Sequence, residues 1–325
     1  MATVQRDELI GLCRDALLRV GADPDAADVL AVATVEAELV GNRAVGVAHI
    51  FDYLDGYARG RITTDARPVV RRPAAAVIDV DARDGLAQTA FTQVLDELQK
   101  AARESGIAAL WIRNSFTCGE LGYYPRRLAD RGFITLATAN SPALMSIGGA
   151  RRPVLGTNPL AYGIPRPGNL PVVIDQASSS TAFVNIRRAA EAGDPIPAGW
   201  ALGPDGEQTQ DATAALKGTL LPFGSHRGGN IALLVELLAT LSGASFSVDA
   251  APFDSGDTSP RIGVFLLVID PAGFAGSVER IAAQFETFRD HHQVRLPAVE
   301  LSSLADSVEI DPTVLQRLQD AATPS

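Results

Sequence analysis

The 325-residue chain is 46% hydrophobic and carries a formal net charge of −10. That length supports a sizeable core in one large or two modest domains. The acidic balance argues against a broad basic surface, so no nucleic-acid partner is expected.

In chain order, the first sixty residues read as helices. "RDELIGLCRDALLRVG" carries apolar residues at helical spacing and stops at a glycine; "DPDAADVLAVATVEAELVG" opens on a capping aspartate. "VAHIFDYLDGYARGRI" makes a third amphipathic stretch. The texture then alternates. "AAAVIDVDA" (74–82) reads as a strand, 85–104 as a helix, "IAALWIRN" and "GFITLATAN" as strands, and "YYPRRLADRG" between them as a helix. This alternation predicts an α/β sheet with crossover helices. From Ser141 to Gly229 the chain is rich in Gly, Pro and Ser and reads as loops on a sheet, with short strands "LAYGIP" and "PVVIDQA". "NIALLVELLATLSGA" reads as a buried helix and "RIGVFLLVID" as a buried strand. "AGSVERIAAQFETFRD" and "IDPTVLQRLQDAA" are further helices, the last with an Asp-Pro start.

Several chemistries lack their motifs. There is no G-x-G-x-x-G after a strand, no phosphate-binding P-loop, no H-E-x-x-H, no paired C-x-x-C and no G-x-S-x-G elbow. No metal ligand set is expected. Cys13 and Cys118 have no redox spacing, which suits a reducing cytoplasm. The N-terminus has charges among its apolar positions, unlike a signal peptide. The run Ile262–Ile269 is far short of the ~20 residues that span a bilayer, so no membrane partner is expected. Arginine clusters in "RRPAAAV", "YYPRRLADR" and "GARRP" read as solvated surface, with an anionic ligand as the alternative. The turn "NSFTCGELGYY" (114–124), between a strand and a helix, is a common position for reactive groups, yet it holds no histidine or lysine. Residue chemistry alone gives an α/β enzyme-like fold with an unassigned ligand.

Longer segments are more specific. "GARRPVLGTNPLAYGIP", "VVIDQASSSTAF", "IPAGWALGPDGEQTQD" and "GTLLPFGSHRGGNIALLVELLATLSGA" occur in this order. Together they resemble the malate/L-lactate dehydrogenase-like family, which is distinct from the Rossmann-fold lactate dehydrogenases and includes reductases of cyclic imino acids. The resemblance runs from the N-terminal helices to "VRLPAVE". It implies a non-Rossmann NAD(P)-binding α/β fold of the L-sulfolactate dehydrogenase-like type with an N-terminal helical region. It also implies NADPH or NADH as cofactor, a small-molecule substrate, and a homodimer with its cleft near the subunit interface. The expected division is a helical region 1–72, an α/β substrate-side segment 73–120, an NAD(P)-binding domain 121–294, and a segment 295–325 packing back on the N-terminal part.

Matched residue by residue, the family's cofactor contacts fall on Ser141, on Asp175, Gln176, Ala177, Ser178 and Ser179, on His226, Arg227 and Gly228, and on Arg295. Arg227 replaces a family lysine and keeps its charge with a different geometry. Ala298 stands where the family has glycine, so that turn is expected to differ.

The catalytic positions depart from the family. Ala44 and Val45 replace a Ser-His pair, His49 replaces an arginine, and Thr117 replaces a second histidine. Reduction of a ketone develops an alkoxide that needs a proton donor, whereas an iminium is already protonated and yields a neutral amine. Loss of both histidines therefore weakens ketone chemistry more than imine chemistry. The candidate catalytic residues are His49, Tyr53, Thr117, Cys118 and Glu120. Four of them have a plainer alternative: a helix-face histidine for His49, packing for Tyr53 as for Tyr123 and Tyr124, a small packing thiol for Cys118, and a helix-start carboxylate for Glu120. The expected function is NAD(P)H-dependent reduction of a C=N bond in a small cyclic imine or related substrate. The alternatives are a non-redox cyclisation, elimination or isomerisation using Cys118 and Glu120, or a non-catalytic cofactor-binding relative.

Overall fold

A computed structural model describes residues 1–295 and 306–323. Its elements are β1 (Ala2–Gln5), α1 (Arg6–Arg19), α2 (Pro24–Leu39), α3 (Ile50–Ala58), β2 (Val69–Ala74), β3 (Val77–Gly85), α4 (Ala87–Ser105), β4 (Ile107–Ser115), α5 (Tyr123–Ala129), β5 (Ile134–Ala139), β6 (Leu160–Ile164) and β7 (Val172–Gln176). Then come α6 (Phe183–Ala192), β8 (Ala201–Leu202), β9 (Gln208–Thr209), α7 (Ala212–Ala215), β10 (Thr219–Leu220), α8 (His226–Thr240), β11 (Ile262–Ile269), α9 (Ser277–His292), β12 (Ser307–Ile310) and α10 (Pro312–Ala322).

The helical region closes on itself. The Asp23 carboxylate accepts the Asp25 amide at 3.0 Å and Pro24 fills the first turn of α2, where its missing N–H is no loss. α1, α2 and α3 bury Leu9, Leu17, Leu30, Ile50 and Tyr53 in one core. α10, started by Asp311 accepting the Thr313 amide at 2.8 Å, packs on α1, and β12 pairs antiparallel with β1. Two 3₁₀ turns, Arg43–Val45 and Val47–His49, lead into α3.

Seven strands form the main sheet in the order β2-β3-β4-β11-β5-β6-β7. β3 and β4 are parallel, joined by α4, and the other pairs are antiparallel. The expected series of crossovers thus reduces to one among the described residues. β11 sits at the centre because its unbroken apolar run suits a strand covered on both faces. Phe91, Val94 and Leu98 of α4 pack on Ile78, Val80, Leu110 and Ile112. Each such burial contributes roughly 1.5–3 kcal/mol.

Three expectations are corrected. The strand read over 74–82 is two strands, with Ala74 opposite Val77 across a tight turn. Alanines pack too little surface to hold a strand through that point. The stretch 141–229 carries its own helices, α6 and α7, and a small sheet ordered β10-β8-β9 over a core of Met145, Ile186, Ile196 and Ala201. The apolar helix α8 is not buried all round. Ala232, Val235 and Ala239 face inward, while Leu234 and Leu237 are each 53% exposed and Leu241 is 70% exposed. The inward face fits tightly: a Cβ on Gly263 of β11 would meet the Ala239 carbonyl oxygen at 1.9 Å.

Candidate active site

The turn after β4 joins the helical core to the sheet. Phe116 is buried in the helical core, and its amide donates to the Gly85 carbonyl at 3.0 Å. Thr117 follows, its Oγ1 in a 2.8 Å hydrogen bond with the Tyr53 hydroxyl and accepting the Gly119 amide at 3.4 Å. Tyr53 reaches this point from α3. Its ring is buried, and burial pushes its phenol well above the usual range. The Cys118 carbonyl accepts from Gln88 Nε2 at 3.1 Å and from the Tyr124 hydroxyl at 2.9 Å. Gly119 has φ +62°, and a Cβ there would lie 2.5 Å from Gln88 Nε2, so the turn needs a glycine.

The rest of the turn is ionic. The Glu120 carboxylate accepts from Arg126 Nη1 at 3.1 Å and Nη2 at 2.5 Å. The Gly122 amide donates to Asp175 Oδ2 at 2.9 Å, tying β7 to the start of α5. Burial raises the Asp175 carboxyl to about 6, and the neighbouring Glu120 charge adds to this. The Gly122 amide and Arg126 oppose the rise. On the α3 side, His49 Nδ1 lies 2.7 Å from Asp52 Oδ2, and its ring meets Tyr53 edge-on at 4.9 Å.

Tyr53, Thr117, Cys118, Glu120 and Asp175 are thus brought together, with His49 against Tyr53. Two of these candidates are constrained. Burial pushes the Cys118 thiol up to about 12, so no thiolate is poised for nucleophilic attack. Glu120 is held by the Arg126 fork, which leaves its oxygens committed. Neither is the free reactive group that non-redox chemistry would use.

Of the family-matched cofactor residues, Ser178 and Ser179 lie beside the segment that leads into α8 with His226, Arg227 and Gly228. Ser178 donates from Oγ to the Asn158 carbonyl at 2.8 Å and from its amide to the Thr157 carbonyl at 2.7 Å. The Phe223 amide donates to the Ser178 carbonyl at 3.0 Å, placing 178–180 beside the strand-like 221–223. α8 then starts after Ser225, which has φ 57° and offers no side-chain cap; the amides of Arg227, Gly228 and Gly229 donate instead to the carbonyls of Gly224, Phe223 and Ser225, and the His226 and Arg227 side chains stand exposed. A Cβ on Gly228 would meet the Phe223 carbonyl oxygen at 2.2 Å. Ser141 Oγ is buried without a partner, and a Cβ on Gly156 would fall 2.2 Å from it. A buried hydroxyl without a partner, a backbone approach open only to glycine and the exposed Arg227 side chain fit a phosphate-bearing dinucleotide. Gln176 is exposed at the end of β7 with Ala177 beside it, and Arg295 is exposed beyond α9. Ala298 lies outside the described residues.

Sequence reading missed the supports. Gln88 carries no motif signal. Glu36 and Glu38, charged residues in the otherwise small and apolar "VATVEAEL" of α2, were such a signal. Glu36 holds Arg127 at 2.7 and 3.3 Å, and Glu38 accepts the Val47 amide at 3.0 Å, fixing the turn before His49. Two hollows, of about 600 and about 770 Å³, contain none of the candidate residues; one lies around Tyr57 and Thr89, the other around Arg166 and Asn169.

Comparison with known proteins identifies the family and the fold. The chain is 37% identical to a Delta(1)-pyrroline-2-carboxylate/Delta(1)-piperideine-2-carboxylate reductase of Pseudomonas syringae pv. tomato, over 98% of this chain and 96% of that protein. It is also 37% identical to a (2R)-3-sulfolactate dehydrogenase (NADP(+)) of Chromohalobacter salexigens, over 94% of this chain and 93% of that protein. The crystal structure of the delta1-piperideine-2-carboxylate reductase from P. syringae superposes with a TM-score of 0.92 at 36% identity, covering 99% of this chain and all of that one. Sulfolactate dehydrogenase from Methanocaldococcus jannaschii shares the fold, with a TM-score of 0.89 at 23% identity. These homologues are oxidoreductases. The family model for malate/L-lactate dehydrogenase matches residues 4–301, and the chain belongs to that family.

Proposed function

We propose that this chain is an NAD(P)H-dependent oxidoreductase that reduces the C=N bond of a small cyclic imine. The observation that carries this reading is the 2.8 Å bond between Thr117 Oγ1 and the Tyr53 hydroxyl in the active-site turn. Neither hydroxyl is an acid near neutral pH, and Tyr53 is pushed further from being one by its burial. A ketone would leave an alkoxide that this pair cannot protonate efficiently. A protonated imine leaves a neutral amine, so the pair need only orient the substrate. The bound nicotinamide supplies the hydride. Ser141, Ser178, His226, Arg227 and Gly228 form the proposed core of its site, with Asp175, Gln176, Ala177 and Arg295 at its edge. The Arg227 guanidinium at a helix start favours NADPH through its extra phosphate.

Titration of the purified protein with NADPH and NADH, followed by nicotinamide fluorescence, tests the cofactor. A screen of cyclic imines against 2-oxo acids and hydroxy acids tests the reaction. Saturable binding with imine-dependent nicotinamide oxidation is expected, and binding with no turnover of any imine would sink the reading.

The bare apolar stripe of α8, including Leu233, Leu234, Leu237 and Leu241, supports a homodimer. The cytoplasm is the proposed compartment, since both cysteines are free thiols, as a reducing environment keeps them. Among the described residues no helix is long and apolar enough to cross a membrane.

A further inference from the structure

We infer that Glu236 is a positioning residue of the dinucleotide site, bracing from inside the segments that carry Ser141 and Ser178; this rests on the proposed cofactor reading. Glu236 lies on α8 about three turns beyond His226 and is 4% exposed. Its carboxylate is met by three donors from two other segments. Oε2 accepts Asn158 Nδ2 at 2.8 Å and Ser247 Oγ at 2.6 Å, and Oε1 accepts the Ser247 amide at 2.6 Å. A carboxylate is costly to bury without such donors, so the fold commits both residues to it.

Each partner leads on to one proposed cofactor segment. Asn158 is fully buried and sits at φ 37°, a left-handed conformation that asparagine tolerates. Its Nδ2 is shared between Glu236 and the Ala232 carbonyl, at 3.0 Å from the latter. Held this way, its own carbonyl accepts Ser178 Oγ at 2.8 Å. On the other side, the Ser247 carbonyl accepts the Ala143 amide at 3.0 Å, and the Ser245 carbonyl accepts Asn140 Nδ2 at 2.8 Å. These two bonds bracket Ser141. The segments meet at Gly156, where a Cβ would lie 2.2 Å from Ser141 Oγ and 2.8 Å from Asn158 Oδ1. One carboxylate thus sets Ser141 and Ser178 relative to each other and to α8, whose start carries His226, Arg227 and Gly228. Glutamine cannot replace it, because it offers one acceptor oxygen and an NH2. With the NH2 toward the Ser247 amide, two donors face each other. With the NH2 toward Asn158, that amide must turn over, and its Oδ1 then faces the Ala232 carbonyl. Either arrangement leaves a buried pair unmade and displaces a segment.

The test titrates the full-length Glu236→Gln variant and its parent with NADPH, by nicotinamide fluorescence, at a temperature well below the melting point of both. The Kd for NADPH should rise at least about tenfold in the variant. At saturating NADPH, kcat with a cyclic imine should stay within about threefold of the parent and the KM for the imine should hold, since only cofactor binding is loosened. A lowered melting temperature with an unchanged Kd would make Glu236 a support of the fold alone and overturn the inference, as would a fall in kcat without a rise in Kd. A parent that binds no NADPH overturns this inference together with the cofactor reading, whereas a parent that binds beside an unaffected variant overturns the inference only. Should Glu236→Gln fail to fold, Ser247→Ala removes the hydroxyl bond and keeps the amide bond. Its Kd should rise about threefold, and an unchanged Kd in that variant overturns the inference as well.

Discussion

Thr117 and Tyr53 form the one hydroxyl pair of the active-site turn, and their contribution divides between chemistry and support. If the pair only orients an imine, Thr117→Val should lower kcat by about tenfold, short of the 10²–10⁴-fold that loss of a general acid produces. Steady-state rates with a cyclic imine check this, and a thousandfold loss would make Thr117 a proton donor. Asp175 gives a second residue-level prediction. Its carboxyl titrates at about 6 in the fold against 3.8 as an ordinary aspartate, so the folded state binds its proton more tightly. Its stabilising contribution is therefore full below pH ~4 and is lost as pH rises through about 6. The change amounts to no more than about 3 kcal/mol. Asp175→Asn keeps an acceptor for Gly122 and cannot ionise. The melting temperature of the variant should gain on that of the parent as pH is raised from 4 to 7, and a pH-independent difference would show that the carboxyl is not shifted.

Helix α8 does two jobs at its two faces and its two ends. Its start presents the exposed side chains of His226 and Arg227 and packs its first turn on the Phe223 carbonyl, an approach open only because Gly228 lacks a Cβ. Gly228→Ala must displace the first turn from the Phe223 carbonyl. We expect NADPH affinity to fall at least about tenfold, read by fluorescence titration, with far-UV circular dichroism preserved. The helix was legible in sequence, as were its uniform hydrophobicity and the His-Arg-Gly start. Which of its leucines face the sheet was not. A run apolar on every side has no amphipathic signal to orient it, and the choice was made by Gly263 admitting the Ala239 carbonyl. The hairpin of β2 and β3 was likewise hidden, because alanines carry little strand preference of either kind.

For the whole molecule, the outward leucines of α8 set the prediction. The protein should sediment as a dimer of the 34.1 kDa chain, and Leu234→Asp with Leu237→Asp should shift it toward the monomer. A parent chain already monomeric at micromolar concentration would remove this interface from consideration. Because the candidate active-site turn lies outside both hollows, the dimer prediction also bears on the cleft. A monomeric double variant that kept full imine turnover would show that one subunit builds the whole site.

The sequence by itself determined the family, most helices and strands, and the departure from the family pattern at Ala44, Val45 and Thr117, none of which is a histidine. Local signals suffice for these, because hydrophobic period, caps and residue chemistry do not depend on distant partners. Only the tertiary structure decided which charges are spent. Glu120 with Arg126 are six residues apart, but Glu36 with Arg127, Asp175 with Gly122 and Tyr53 with Thr117 meet from different elements. Whether a carboxylate is reactive or committed depends on such pairings and on burial. Both arise only when the sheet and the helical region close around the turn.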